Sequence, residues 1–224
     1  MAIDQREALI AAVRAQVEKE KAAKAAKEKK ELEAIVKKYP NSLIATTACL
    51  GGELPHLIDG LICAEKTGDE NDAMLWKIKI NEFMTWNIDL FGDDFYIEIA
   101  AANSKDQIRF NERVVSIAKF YNRKIVIGSD AHYLTQKERP VHKAYLNSKE
   151  GDREVDTFYA FAHMMDNEEA YNNLKDTFTE EQFAEFCENS MEIYDKIGTY
   201  DLFRKPIIPK VDVKNYPKLP MTFK

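Results

Sequence analysis

The residues best placed to do chemistry lie just beyond a short apolar run, where Asp130 and His132 are separated by one residue. Residues 125–127 are all β-branched and Gly128 follows them, which is the pattern of a strand buried on both faces. If the extended conformation continues past the glycine, Asp130 and His132 point to the same side and can ligate a divalent metal. The alternative is that Asp130 caps the next segment and His132 is a surface turn residue.

A thiol occupies a similar position earlier in the chain. Residues 42–48 form another strand candidate that ends at Cys49, and Gly51 and Gly52 then allow a tight turn. We therefore expect Cys49 at a strand end, although a cysteine in such an apolar setting is usually a small buried hydrophobe. The strand candidate 94–99 carries Glu98, whose simplest interpretation is a polar strand position.

The elements that must position these residues alternate along the chain. We predict a long helix over 4–39, in one piece or as two in line, and then strand 42–48, helices 54–66 and 70–87, strand 94–99, helix 104–121 and strand 124–127. This alternation indicates a parallel sheet with right-handed crossovers. The remainder is predicted as helices 138–147, 167–174, 180–186 and 189–197, a charged loop 149–156, an extended exit 203–210 and a proline-containing tail 211–224.

Composition limits the possible functions. The chain has 224 residues, 45% of them hydrophobic and 31% charged, which is typical of a soluble globular protein. The net charge of -6 confines any DNA contact to a local basic patch, and glutamates among the N-terminal lysines favour a solvated helix face there. Three cysteines without metal-type spacing indicate a reducing compartment, and no apolar run reaches the length of a membrane span. We therefore expect a cytoplasmic protein with no membrane contact.

Several segments taken together resemble the PHP (polymerase and histidinol phosphatase) domain of the DNA polymerase III alpha subunit of bacteria and phages. The match is carried by residues 43–53, 91–99, 107–109 with Asn111, and 129–134, with a weaker match from 189–193 to 205–210. Order and spacing agree from about residue 33 to residue 210. No single segment is decisive, but five in the same order are hard to obtain by chance.

The resemblance implies a distorted α/β barrel of parallel strands with a multi-metal cluster at the strand C-termini. Cys49, Asp130 and His132 match three of the family's metal ligands, so the resemblance makes Cys49 a ligand and not a packing residue. The implied cofactor is a divalent metal (zinc, manganese or magnesium), unless the site has been lost. In family members that keep the site, the metals support phosphoester hydrolysis, proposed as a proofreading 3′–5′ exonuclease activity. The resemblance assigns no other catalytic residue here.

The chain also departs from the family pattern. The family's other ligands, including a His-x-His pair on its first strand, lie upstream of the Cys49 region, where this chain has its charged helix. His56, His142 and His163 fall outside the family's ligand motifs, and three strands are too few to close a barrel. The polymerase palm would begin about where this chain stops.

We therefore expect an α/β fold: a partial PHP-type distorted parallel β/α barrel with a long N-terminal helix and a helical C-terminal part. The expected organisation is a charged helical extension over 1–36, the C-terminal part of the barrel over 37–150, a helical tail towards the palm over 151–210 and a linker over 211–224.

Three functional hypotheses follow from the resemblance. The first is a portion of a replicative DNA-directed DNA polymerase, a nucleotidyltransferase, with a residual or trans-completed phosphoesterase site. Its partners would be DNA, other replication proteins and a separate polypeptide that supplies the N-terminal part of the domain. The second is a stand-alone metal-dependent phosphoesterase. The third is a non-catalytic scaffold in the replisome, with the N-terminal helix docking a partner. Whether the chain is itself an enzyme is left open.

Overall fold

The computed structural model describes residues 2–148, 158–199, 203, 205 and 206, with side chains described from residue 16 onward except at 18, 21 and 158. The predicted loop 149–156, the tail 211–224 and most of the exit segment 203–210 lie outside the described residues. The domain limits expected near residues 36, 150 and 210 stay predictions.

The described part of the chain is mixed α/β and mostly helical. The helices are α1 Ala2–Lys38, α2 Glu53–Thr67, α3 Glu70–Phe91, α4 Lys105–Phe120, α5 Arg139–Asn147, α6 Asn167–Leu174 and α7 Glu180–Lys196. Short 3-10 helices cover Gly92–Asp94, Gln136–Glu138 and Phe158–Phe161. The single long N-terminal helix and α2, which was predicted over 54–66, confirm two of the predictions.

The helix ends follow ordinary capping chemistry. The side chains of Asp69, Ser104, Asp166 and Thr179 accept hydrogen bonds from the first turns of α3, α4, α6 and α7. Gly68 ends α2 with a left-handed φ of 74°, a conformation that costs glycine little. These local signals explain why most helix boundaries were predictable within a few residues.

The strands of the described chain form one parallel sheet in the order β1 Ala45–Thr46, β2 Phe95–Ala100 and β3 Ile125–Gly128. In register, Ala45 pairs with Phe95 and Ile97 pairs with Ile125. The central strand β2 is buried on both faces, and its residues Phe95, Tyr96 and Ile97 are at most 2% exposed. The parallel alternation is confirmed, whereas a barrel of the family type stays a prediction.

Three elements differ from the sequence-based expectation. The strand predicted over 42–48 contracts to Ala45–Thr46, because the backbone turns away after Thr47 and Ala48 takes a left-handed φ of 61°. The two helices predicted over 180–186 and 189–197 are one helix, α7, since no glycine or proline interrupts that stretch. In addition, α3 extends to Phe91 and not only to Asn87.

The hydrophobic core lies where α2, α3, α4 and α7 meet the sheet. Leu54 and Ile58 of α2, Met84 of α3 and Val114 of α4 are at most 2% exposed. By contrast, the described side chains of α1 are mostly exposed, and Trp86 of α3 is bonded to Glu33 of α1 by its indole N–H at 2.9 Å. The core therefore surrounds the sheet, and α1 lies outside it. No helix within the described residues is both long and apolar enough to cross a membrane.

Candidate metal site at the strand ends

The turn after β1 places Cys49 at the C-terminal edge of the sheet. Thr47 is buried, and its hydroxyl oxygen accepts a hydrogen bond from the backbone N–H of Glu98 at 2.9 Å. The chain then reverses, and the N–H of Gly52 donates to the carbonyl oxygen of Cys49 at 2.8 Å. A Cβ at Gly52 would lie 2.6 Å from the carbonyl oxygen of Thr47, so this close return requires glycine. The thiol is thereby held beside the strand ends.

The turn after β3 places Asp130 and His132, but not by the extended conformation that their spacing suggested. Asp130 has a left-handed φ of 42°, so the extended backbone stops before it. The imidazole of His132 is instead held beside Asp130 by a hydrogen bond between its Nδ1 and the carbonyl oxygen of Asp130, 2.7 Å apart. The Asp130 Oδ1 atom lies 3.9 Å from the same His132 nitrogen. The expectation of an extended pair was wrong, although the two side chains remain neighbours.

Cys49 and Asp130 are also neighbours, so the segments that follow β1 and β3 meet at one edge of the sheet. Burial raises the pKa of the Cys49 thiol. A backbone hydrogen bond from Gly51 opposes that shift. The charge of Asp130, the hydrogen bond that the thiol donates to the Asp130 carboxylate and the charge of Glu98 reinforce it. The protonated thiol is thus favoured, and a metal bound there would have to displace its proton.

Glu98 is a residue of this edge for which the sequence suggested no special role. Its Oε2 atom accepts a hydrogen bond from the hydroxyl of Thr46 at 2.6 Å, across the β1–β2 pair. On the other side it lies against Gly128, where a Cβ would come within 2.6 Å of the Glu98 Cδ atom. The pattern that could have revealed it was a lone carboxylate two residues before the end of a buried strand.

His132 has different neighbours from Cys49. Its ring centroid lies 5.5 Å from that of His142 on α5 and 4.9 Å from that of Tyr159. Burial, followed by the charge of His132, lowers the pKa of His142. The fourth histidine, His163, is 3% exposed and bonded to Glu169 and Gln136, so it is a satisfied structural residue.

An apolar cavity of about 280 Å³ opens beside Cys49 and Asp130. It lies at the C-terminal ends of β2 and β3, the usual place for ligands in open parallel sheets. Its walls include Ala101, Phe161 and Cys187, and His132 is not among its lining residues. The cavity therefore adjoins the thiol and the carboxylate, whereas the imidazole lies outside it.

The donor chemistry of the three predicted ligands fits a divalent metal, since thiolate, carboxylate and imidazole are all ligands of zinc. Their arrangement is less complete. Cys49 contacts Asp130, and Asp130 adjoins His132, but within residues 2–148 and 158–199 no group of three or more His, Cys, Asp or Glu side chains is arranged to hold a metal. The structure thus supplies two neighbouring pairs and not a closed coordination shell.

Comparison with known proteins relates the chain to DNA polymerases. It is 39% identical over 197 residues to the probable DNA polymerase YorL of Bacillus subtilis and, equally, to a DNA-directed DNA polymerase of Bacillus phage SPbeta. It is 27% identical over 181 residues to the DNA polymerase III subunit alpha of Borreliella burgdorferi. No protein-family model matches the chain.

The extent of these similarities is uneven. The alignments cover 88% of this chain but 15% of the two Bacillus-related polymerases, and 80% of this chain but 14% of the Borreliella subunit. Over much of its length the chain is therefore homologous to one limited region of proteins named DNA polymerase or DNA polymerase III subunit alpha.

Proposed function

We propose that the chain is the PHP-type region of a DNA polymerase related to the polymerase III alpha subunit and acts in DNA replication. The observation that carries the proposal is the 39% identity over 197 residues to two proteins named as DNA polymerases. The parallel strand order and the chemical groups at the strand ends agree with that assignment. DNA and other replication proteins are the corresponding partners, together with any separate polypeptide that completes the domain.

A chimera tests this assignment. The homologous region of the Bacillus phage SPbeta polymerase is replaced by this chain, and primer extension is measured on the purified full-length protein. We expect a folded chimera that retains extension activity. A chimera that elutes and melts like the parent polymerase but has lost extension would contradict the proposal.

We further propose that Cys49, Asp130 and His132 are what this chain contributes to a residual metal-dependent phosphoesterase site. When bound, a divalent metal polarises phosphoryl oxygens and lowers the pKa of a water ligand towards neutrality. The residues of this chain orient the side chains that would bind the metal. The carbonyl oxygen of Asp130 accepts from His132 Nδ1 and so fixes the imidazole tautomer.

The neighbouring groups fit the same role. Thr46 holds the Glu98 carboxylate at the edge by its hydroxyl, so a second negative group faces the thiol. The mostly apolar cavity beside Cys49 and Asp130 borders this edge, and an apolar wall strengthens electrostatic interactions next to it. These features support binding of a cation and orientation of a phosphoester near it.

A nuclease assay tests this part. The wild-type chain is incubated with Mn²⁺ or Zn²⁺ and a 3′-labelled single-stranded oligonucleotide, alongside Asp130→Ala and Asp89→Ala. Asp89 is an exposed carboxylate on α3 and serves as the matched control. We expect release of label by the wild type and the control but not by Asp130→Ala. Release that survives the Asp130 substitution would refute the proposed role.

A non-catalytic scaffold is the second candidate. It is favoured by the absence, in the described part of the chain, of a complete metal-holding group, and by the exposed described surface of α1. Under this alternative the wild type releases no label, and deleting α1 abolishes binding to the remainder of the polymerase. Partner binding that is intact after the deletion would exclude docking through α1.

A further inference from the structure

A pair of imidazoles lies at the edge of the candidate site, and one of them, His142, falls outside the ligand motifs identified in the sequence. His132 follows β3, and His142 belongs to α5, so the pair forms only when the two segments pack. Their ring centroids are 5.5 Å apart, with the ring planes at 59°. The Tyr159 ring lies edge-on to both, at 4.9 Å from each, and covers the pair on one side.

Both imidazoles have a nitrogen available to a cation. A carbonyl oxygen can only accept, so the 2.7 Å contact with Asp130 O places the His132 proton on Nδ1 and leaves the lone pair on Nε2. Metal-ligating histidines are commonly held in this way by a backbone carbonyl. The Nδ1 atom of His142 is buried and has no hydrogen-bond partner. Buried polar atoms normally have partners, and a bound ion is one explanation of an exception.

The spacing of the rings agrees with shared ligation. With a zinc–nitrogen distance of about 2.0–2.1 Å, a ring centre lies roughly 3.3 Å from the metal. Two such rings at a tetrahedral angle have centres about 5.3 Å apart by the same geometry. The observed separation of 5.5 Å is close to that value.

We propose that His132 and His142 together bind one divalent transition metal, through Nε2 of His132 and Nδ1 of His142. The Asp130 Oδ1 atom lies 3.9 Å from the protonated Nδ1 of His132 and not at Nε2, so it is not counted as a ligand. Imidazole nitrogens are ligands of zinc and ferrous iron, and a metal held by two of them keeps open positions for water or a phosphoester. The inference rests on the proposed function in sharing His132 with its metal site, and it adds His142 as a ligand.

Titration with Co²⁺ tests the inference without any activity measurement, because Co²⁺ bound by imidazoles absorbs in the visible range. The full chain is compared with His142→Ala and with His56→Ala, which removes an exposed imidazole from α2. We expect saturable binding that Zn²⁺ displaces in the wild type and in the control. His142→Ala should weaken Co²⁺ binding at least about 10-fold. Loss of a residue that only supports a metal ligand already costs about that much in metal affinity.

A second variant at the same position is used if His142→Ala fails to fold. If circular dichroism shows that His142→Ala is unfolded, His142→Gln replaces it, because glutamine keeps a polar side chain but lacks the imidazole nitrogen. Co²⁺ binding by a folded His142 variant with wild-type affinity would overturn the inference, as would failure of the wild type to bind Co²⁺.

The two proposals can fail separately. If Asp130→Ala and Cys49→Ala weaken Co²⁺ binding while the His142 variants do not, the metal site of the proposed function remains and His142 is not part of it. If binding depends on His142 but no nucleic acid is hydrolysed, the imidazole site stands and the phosphoesterase role falls.

Discussion

The close approach of β2 and β3 at Gly128 leads to a quantitative prediction. In a Gly128→Ala variant the new Cβ would lie 2.6 Å from Cδ and 2.9 Å from Cγ of Glu98. Glu98 would have to move, although its Oε2 atom accepts a 2.6 Å hydrogen bond from Thr46. The substitution should therefore disturb the β1–β2 pair as well as the end of β3.

The magnitude can be estimated from this geometry. Loss of a hydrogen bond to a charged group costs about 1.5–3 kcal/mol. Glycine-to-alanine exchange stabilises the fold by about 0.4–1 kcal/mol, since it restricts the unfolded chain. This gain applies at Gly128 because its φ is not left-handed. We expect a net loss of about 0.5–2.6 kcal/mol in the free energy of unfolding, combining these two terms.

Urea denaturation of single and double variants measures the effect. Gly198→Ala is the matched control, since nothing lies within 4 Å of a Cβ built there and its φ is not left-handed. In a Glu98→Ala background the obstacle is gone, so Gly128→Ala should be neutral or slightly stabilising. The reasoning is wrong if Gly128→Ala costs no more than Gly198→Ala, or if the Glu98 background does not relieve the cost.

Three further predictions concern the hydrogen bonds of Glu192 on α7, the buried amides of α4 and the N-terminal helix α1. Hydrogen bonds from the side chains of Lys124, Tyr96 and Lys196 hold the pKa of Glu192 at about 2, against about 4.3 when unfolded. The stabilisation by Glu192 is therefore full above pH about 4.3 and lost as the pH falls to about 2, and urea titrations should show the wild type converging with Glu192→Gln across that window. Asn111→Leu leaves the amide of Gln107 without its 2.8 Å partner in a buried site, and should lower the free energy of unfolding by about 1–3 kcal/mol in the same assay; an unchanged value would contradict this. Trp86→Phe removes the indole hydrogen bond to α1 and should speed amide exchange in α1 while leaving exchange in β2 unchanged; equal exchange in α1 would show that this bond does not hold the helix.

Much of the fold was predictable from local patterns. The helix over Asn167–Leu174 was predicted to the residue, because Asp166 is a strong N-cap and the apolar spacing is regular. The strand ending at Gly128 was equally clear from its β-branched run. The strand predicted over 42–48 was too long because sequence pattern reports β-propensity, whereas β1 ends where the backbone turns away after Thr47.

The candidate site was predictable only in part. The meeting of Cys49 and Asp130 follows from the shared direction of parallel strands, which sequence alternation indicates. The left-handed φ of Asp130 was not indicated by the spacing argument, although aspartate tolerates that conformation. The approach of His142 could not be foreseen, because α5 reaches His132 through tertiary packing and no sequence period connects them.

The most direct test of the central claim is anomalous diffraction at the zinc edge from crystals of the chain grown with Zn²⁺. The account predicts an anomalous peak at the strand ends, within about 2.0–2.3 Å of donor atoms of both Asp130 and His132. Zinc peaks that occur only elsewhere on the molecule, with these two side chains free of metal, would contradict it.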